Sequence, residues 1–235
     1  MPSYEKRTKM IHQLLRLAKE NNLDGINLDF ENVYEEDGEW FTQFVRELTP
    51  RAHNQGLVIS VDITFISNSN QWSEFYERAE LAEAADFLIV MAYDQHWATS
   101  PQAGSVASLQ WVEQNLQELL EVVPNEHLLL GIPLYTRLWE ENNGEVSSTA
   151  LTMEEAERWV KEKGLTLELA GSTGQEYVQA TIDGTTYKMW LENETSLGKR
   201  IGLMEKYKLA GIASWSIYFA DQEAWEFINE QLYKK

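Results

Sequence analysis

Apolar positions in this chain follow two patterns that alternate along the sequence. In residues 10–18 the apolar side chains recur at intervals of three and four, which predicts an amphipathic helix. Near-continuous apolar runs, typical of strands covered on both faces, lie at 23–30, 57–65, 87–93, 128–135 and 211–217. Because segments with helical spacing separate these runs, the pattern predicts an α/β fold with a parallel sheet between helices.

The pattern changes between about 145 and 191, where it indicates a small α+β insertion. Thr152 is followed three residues later by a glutamate, the sequence of a capping box, and Gly164 is a typical helix end. Two strand-like runs then flank Asp183-Gly184, a strong two-residue hairpin signal. The predicted parts are an α/β portion at 1–144, the insertion at 145–191 and a second α/β portion at 192–235.

Charge and composition limit the partners and chemistry that we expect. The chain has 19 Lys and Arg against 38 Asp and Glu, a net charge of −19, and no basic run, which argues against a nucleic-acid partner. The absence of cysteine removes disulfides, thiolate nucleophiles and cysteine-based zinc sites. No stretch approaches the ~20 apolar residues of a membrane span, and the charged start of the chain lacks the apolar core of a signal peptide.

Candidate chemistry concentrates at the end of the first apolar run. Side chains at alternate strand positions share a face, so Asn27, Asp29 and Glu31 are expected to point together. Neighbouring carboxylates disfavour each other's ionisation, which raises the pKa of at least one of them. A carboxylic acid that stays protonated near neutral pH can serve as a general acid. The alternative is a strand end whose acids are solvated or ion-paired, and an isolated D-x-E motif does not exclude it.

Four motifs, in this order along the chain, resemble those of a known family. They are Asp24-Gly25 with Asp29 and Glu31, then Met91-Ala92-Tyr93-Asp94, then the segment 131–137 and the segment 211–216. Together they resemble glycoside hydrolase family 18, the chitinase-like enzymes. The segments 93–97 and 104–107 are similar to the bacterial subgroup that includes spore cortex-lytic N-acetylglucosaminidases. The resemblance implies a TIM (β/α)8-type barrel, with the insertion placed before family helix 7.

The resemblance also implies that the barrel is partial. The D-x-E motif corresponds to family strand 4, so this chain would supply family strands 4–8. A complete barrel typically needs ~250 residues, whereas five runs of the parallel type are present. We expect the remaining strands to come from a missing N-terminal segment or from self-association, because an open barrel would expose a sheet edge.

Individual roles follow from the resemblance. Glu31 would protonate the leaving glycosidic oxygen while the substrate's own N-acetyl oxygen attacks the anomeric carbon, an exception to the two-carboxylate scheme. Asp29 would orient and stabilise the resulting oxazolinium ion, and Tyr93 would donate to the acetamido oxygen. Asn27 stands where the family often has a third aspartate. No metal or other cofactor is implied. The residues expected to bind sugar are Asn27, Asp94, Tyr135, Arg137, Trp215, Trp97 and Asp62.

Several of these residues have a structural alternative. Tyr93 and Trp215 could fill the interior of the sheet, and Arg137 could be an ion-pair partner for Glu140 or Glu141. Asp62 shares a strand face with polar neighbours and need not reach a substrate.

The expected function is hydrolysis of β-1,4-linked N-acetylglucosamine in peptidoglycan or a chitin-like polysaccharide, outside the cell at the wall or spore. One alternative is a carbohydrate-binding protein that does not cleave; family members of that kind usually lose the acid, whereas Glu31 is present. Another is an inactive fragment, complete in its chemistry but not in its barrel. The sequence leaves chitin and peptidoglycan, and endo and exo action, open.

Overall fold

The computed structural model describes residues 3–233, which form two compact units. Unit 1 comprises the chain up to Met91 together with Asn115–Leu130 and Leu209–Gly211. Unit 2 comprises Ala92–Gln114, Gly131–Lys208 and the chain from Ile212 onward. None of the helices within the described residues combines the length and apolar character that crossing a membrane requires.

Seven α-helices and ten strands are found in residues 3–233. The helices are α1 Tyr4–Glu20, α2 Gly38–His53, α3 Arg78–Ala84, α4 Leu109–Leu119, α5 Met153–Glu162, α6 Glu194–Tyr207 and α7 Gln222–Tyr233. The strands are β1 Gly25–Leu28, β2 Val58–Ile63, β3 Phe87–Met91, β4 Leu128–Pro133, β5 Tyr135–Asn142, β6 Glu145–Thr152, β7 Glu168–Leu169, β8 Glu176–Ile182, β9 Thr185–Leu191 and β10 Gly211–Trp215.

The strands of unit 1 form the parallel sheet that the apolar runs predict. β1 pairs with β2 in parallel from Gly25↔Val58 to Leu28↔Val61, and β2 pairs with β3 in parallel. The order of the sheet is β1-β2-β3-β4-β10, and β4 and β10 begin in this unit. All five runs that the sequence analysis assigned to this sheet are therefore strands.

The core of unit 1 lies between this sheet and its helices. The inward positions of β2 are fully buried, as are Phe44 and Leu48 of α2 and Ile11 of α1. The spacing of these helical residues explains why α1 and α2 each bury one stripe and leave the other face in water. β1 approaches β2 closely at Gly25, where an added Cβ would lie 2.5 Å from the carbonyl oxygen of Val58.

The insertion in unit 2 is a helix on a small antiparallel sheet, as predicted. Thr152 and Glu155 form the capping box at the start of α5, and Gly164 beyond its end has a positive φ of 63°. Asp183 and Gly184 both have positive φ and connect β8 to β9, which pair antiparallel. The buried residues of this core are Leu138, Ala156, Val160, Val178, Met189 and Leu191.

The antiparallel sheet also contains a strand that the apolar pattern assigns elsewhere. Its order is β6-β5-β9-β8-β7, so β5 is an inner strand although it begins at Tyr135. The apolar pattern predicts that Tyr135 belongs to the parallel run, because apolar residues continue without a break. Pro133, which has no N–H to donate, ends β4. The part boundaries 1–144, 145–191 and 192–235 stay a prediction.

Candidate active site

The acidic motif lies at and beyond the end of β1. Asn27, Asp29 and Glu31 are all exposed, whereas Leu28 between them is buried and Phe30 is half-buried. The alternation that the sequence predicts is therefore present, but β1 ends at Leu28. Asp29 and Glu31 thus follow the last paired residue of the strand instead of lying within it. Strand ends of this kind are where α/β folds carry their functional side chains.

A chain of hydrogen bonds links β1 to its neighbour β2. The register places Asn27 beside Ser60, whose hydroxyl donates to the side-chain oxygen of Asn27 at 2.7 Å. The amide nitrogen of Asn27 then donates to Oδ2 of Asp62 at 2.8 Å. Because one side of the amide accepts and the other donates, its orientation is determined by the two neighbours.

The carboxyl group of Asp62, on β2, has a raised pKa. Its pKa is raised from 3.8 to about 6, chiefly because the group is buried; the hydrogen bond from Asn27 opposes this rise, and the negative charges of Asp29 and Glu31 add to it. The raised pKa that the sequence predicts within the Asp29 and Glu31 pair stays a prediction. Asp62 comes from the adjacent strand, so only the pairing of β1 with β2 brings it into the cluster.

One residue near the acids was not singled out from the sequence. The hydroxyl of Tyr76 donates to the carbonyl oxygen of Phe30 at 2.8 Å, within the Asp29-Phe30-Glu31 segment. Burial, followed by the charges of Glu31 and Asp29, raises the pKa of Tyr76, so the phenol stays protonated. No sequence signal marks this residue, since its partner is a backbone carbonyl far away along the chain.

Unit 2 contains a second group of predicted residues. Tyr135 and Arg137 lie two residues apart on β5, and the hydroxyl of Tyr135 donates to Oδ1 of Asp94 at 2.5 Å. The guanidinium of Arg137 lies 3.5 Å from the same oxygen and 5.5 Å from the Tyr135 ring centre. Burial and the Asp94 charge raise the pKa of Tyr135, which keeps the phenol neutral and able to donate.

Arg137 has unused hydrogen-bonding capacity. Its Nε is buried and has no hydrogen-bond partner within residues 3–233, and buried donors normally have one. Its ion pair is with Asp94, whereas Glu141, one of the alternatives considered from the sequence, pairs with Lys188 at 2.7 Å.

The two predicted tryptophan platforms are exposed. Trp97 and Trp215 each show 51% of their surface, so Trp215 does not occupy a core position in the described chain. Trp215 ends β10, and its carbonyl oxygen accepts from the backbone N–H of Leu134 at 2.7 Å. Tyr93 is half-buried and follows Ala92 at the start of unit 2. Exposed aromatic faces match the apolar faces of pyranose rings.

A buried polar network supports the segment that follows Asp94. Glu192 and Arg200 form an ion pair of 2.6 Å at 0% and 2% side-chain exposure. Glu192 also accepts from Gln175 at 2.8 Å, and Arg200 donates to the carbonyl of Ala107 at 2.6 Å. Gln175 in turn accepts a hydrogen bond from the hydroxyl of Ser105. These bonds join the insertion and α6 to the backbone near 105–107.

The predicted residues are distributed over both units. Unit 1 contains Asn27, Asp29, Glu31 and Asp62; unit 2 contains Tyr93, Asp94, Trp97, Tyr135, Arg137 and Trp215. Within unit 1 the structure joins Asn27 to Asp62, and within unit 2 it joins Asp94 to Tyr135 and Arg137.

The chain is similar in sequence and in structure to several known proteins. The Bacillus subtilis glycosylase YvbX is 28% identical over 98% of this chain and 67% of its own length. The cortical fragment-lytic enzyme of Bacillus anthracis is 23% identical over 95% of this chain and 53% of its own length. The crystal structure of a chitinase from Chromobacterium violaceum matches 99% of this chain and 73% of its own with a TM-score of 0.88 and 25% identity.

These matches show a chitinase-like α/β fold in a chain that spans only part of each relative. A family model described as "Glycosyl hydrolases family 18" matches residues 1–220. The resemblance drawn from the four sequence motifs is thereby confirmed, and the chain belongs to glycosyl hydrolase family 18.

Proposed function

We propose that the chain is a glycosidase that cleaves β-1,4 bonds of N-acetylglucosamine in peptidoglycan or a chitin-like polysaccharide, with retention and with assistance from the substrate. The observation that carries the proposal is the exposed Asp29 and Glu31 pair after β1, in a member of glycosyl hydrolase family 18. Relatives named as a cortical fragment-lytic enzyme and a chitinase support this class of substrate.

Glu31 is the general acid of the proposed reaction. It transfers a proton to the glycosidic oxygen as the bond from that oxygen to the anomeric carbon breaks. The acetamido oxygen of the same sugar attacks that carbon, so the electron pair of the broken bond stays with the leaving oxygen and an oxazolinium ion forms. Water then opens the ion, and the Glu31 carboxylate takes the proton of this water. The protein therefore supplies no nucleophile.

Asp29 and Tyr93 act on the acetamido group. The charge of Asp29 stabilises the positive oxazolinium ion, a form of electrostatic stabilisation that strengthens as charge develops. Tyr93 donates to the acetamido oxygen and orients it for attack. Asn27 and Asp62, joined by their 2.8 Å hydrogen bond, complete the polar lining at this point of β1 and β2.

The remaining predicted residues hold the sugar rings. Asp94, to which the Tyr135 hydroxyl donates, accepts from sugar hydroxyl groups, and Arg137 offers the buried Nε that lacks a partner within the described residues. Trp215 stacks on one pyranose ring, and Trp97 provides a second platform.

The finer placement of the chain within the family is also a proposal. We infer that β1, β2, β3, β4 and β10 correspond to strands 4–8 of the family barrel, with a further segment or a second copy providing the remainder. The names of the relatives, which refer to sporulation and cortex lysis, support a location at the cell wall or spore.

Turnover of two matched substrates tests the function. One preparation is assayed on chitotetraose and on cellotetraose, in which hydroxyl replaces every N-acetyl group, and on purified peptidoglycan. We expect cleavage of at least one N-acetylated substrate with retained anomeric configuration, and none of cellotetraose. Comparable turnover of both oligosaccharides would rule out substrate assistance.

Binding measured beside turnover separates the second candidate function. Glu31→Gln and the unaltered chain are titrated with chitotetraose by calorimetry. Sugar binding by both proteins without turnover by either would favour a carbohydrate-binding protein over an enzyme. Absence of both binding and turnover would contradict both functions for this chain.

A further inference from the structure

The segment that carries the acid pair lacks the support of a strand ladder. The parallel register of β1 with β2 ends at Leu28↔Val61, and Asp29, Phe30 and Glu31 lie beyond it. A general acid must be held close to its working geometry, because a displacement of about 1 Å can reduce a rate ~100-fold. The contacts that hold this segment therefore bear directly on the reaction proposed above.

The hydroxyl of Tyr76 makes one such contact. It donates to the carbonyl oxygen of Phe30 at 2.8 Å, and this carbonyl belongs to the peptide unit that also contains the nitrogen of Glu31. Tyr76 is only 4% exposed, so its hydroxyl has little access to bulk water as an alternative partner. A buried hydrogen bond to this peptide restricts the backbone rotation that would turn the Glu31 side chain away.

Tyr76 is itself held from two sides. Its ring packs edge-on against Phe75 with centroids 5.2 Å apart, and Phe75 continues through Phe41 to Phe30, at 4.9 Å and 5.1 Å. The aromatic row therefore begins and ends on the two residues that the hydrogen bond joins. Packing and hydrogen bonding constrain the same peptide.

Arg78 contacts both the ring of Tyr76 and the loop that precedes it. Its guanidinium lies 5.6 Å from the ring centre and donates to the carbonyls of Thr64 and Phe65 at 2.9 Å and 3.1 Å. It also donates to the carbonyl of Ser73 at 3.1 Å. These bonds join the start of the loop after β2 to its end, immediately before Tyr76.

We propose that Tyr76 is a positioning residue for Glu31, acting through the Phe30 peptide, and that Arg78 holds Tyr76 in place. The inference rests on the proposed function for its effect on rate. Tyr76 is not itself a catalytic residue, because it acts through the Phe30 peptide. Its hydroxyl orients the Glu31 side chain through the bond to the Phe30 carbonyl, and its ring packs in the core.

The Tyr76→Phe variant separates these two contributions, since it keeps the ring and removes the hydroxyl. We expect kcat on the N-acetylated substrate to fall by about 10- to 100-fold while KM changes by no more than about twofold. Tyr177→Phe is the matched control, because Tyr177 also donates through its hydroxyl, to Gln179 at 2.7 Å, but within the insertion. An unchanged kcat in Tyr76→Phe, or an equal fall in Tyr177→Phe, overturns the proposal.

Backbone dynamics provide a readout that does not require activity. We expect the amide of Glu31 to show a nitrogen-15 order parameter of about 0.85 in the unaltered chain and below about 0.6 in Tyr76→Phe. A value already below about 0.6 in the unaltered chain overturns the proposal even if the variant does not fold. If the unaltered chain has no turnover but the order parameters behave as expected, the proposed function fails and the positioning role stands.

Discussion

The side-chain amide of Asn27 on β1 donates a 2.8 Å hydrogen bond to a carboxylate oxygen of Asp62 on β2. Ser60 donates to the opposite side of the same amide, and turning the Asn27 oxygen toward the Asp62 carboxylate would lose the bond between them, since both oxygens are acceptors. In the family pattern, an aspartate often occupies the Asn27 position. In this chain the additional carboxyl group of the cluster is on the neighbouring strand, and its pKa is raised to about 6.

The first prediction is a pH-dependent gain in stability from Asp62→Asn. The folded-state pKa of Asp62 is about 6 against 3.8 for the ordinary group, so the folded protein binds this proton more tightly than the unfolded chain. The contribution of Asp62 to the free energy of unfolding therefore falls as pH rises through 4 to 6 and stays low above that range. We expect Asp62→Asn to raise the free energy of unfolding at pH 8 and to change it little at pH 3.5.

Urea unfolding at the two pH values measures this difference. The same substitution at Asp183, exposed in the β8–β9 turn, serves as the control for loss of one negative charge from a chain of net charge −19. An equal change at both pH values for Asp62→Asn would contradict the raised pKa.

The second prediction concerns the acid. Glu31→Gln keeps the shape and polarity of the side chain but removes the proton that it transfers. General acid catalysis typically contributes about 10²–10⁴-fold, so kcat should fall by at least that range in steady-state assays. Affinity for chitotetraose should be retained.

Asp29→Asn is the companion variant for the same motif. It should lower kcat because it removes the charge next to the oxazolinium ion, and it should weaken binding of a thiazoline mimic more than binding of product. Equal weakening of both ligands would show that Asp29 does not recognise the intermediate.

The third prediction concerns the buried ion pair of unit 2. Arg200→Met leaves Glu192 fully buried without its charged partner, and breaking a buried pair in this way costs about 3–5 kcal/mol. Urea unfolding should show a loss of this size. Arg158→Met is the matched control, because the exposed Arg158–Glu154 pair at 3.6 Å should contribute no more than about 0.5 kcal/mol. Similar losses in the two variants would indicate that the buried pair contributes no more to the free energy of unfolding than the exposed pair.

The fourth prediction concerns the close approach of β1 and β2. Gly25→Ala places a Cβ 2.5 Å from the carbonyl oxygen of Val58, where backbone must move. We expect a loss of about 1–3 kcal/mol in the free energy of unfolding. At Gly202 in α6 an added Cβ meets nothing within 4 Å, so Gly202→Ala should stabilise by about 0.5–1 kcal/mol. In thermal or urea unfolding, we expect Gly25→Ala to lower the free energy of unfolding and Gly202→Ala to raise it.

Local features of this protein were determined by its sequence. The capping box at Thr152 and the Asp183-Gly184 turn each form within a few residues, so their signals do not depend on the rest of the chain. The apolar runs predicted every strand of the parallel sheet for a related reason, because burial on both faces requires continuous apolar sequence. The family motifs likewise identify chemistry by residue type at short spacing.

Tertiary structure alone decided which distant groups meet. Tyr76 bonds to a carbonyl 46 residues away, and the Asn27–Asp62 bond depends on the register of two strands. The apolar run through Leu134 and Tyr135 could not show that β4 ends at Pro133 and that β5 belongs to another sheet. Such contacts depend on packing and strand register, and hydrophobic pattern along one segment contains no information on the partner that another segment brings to it.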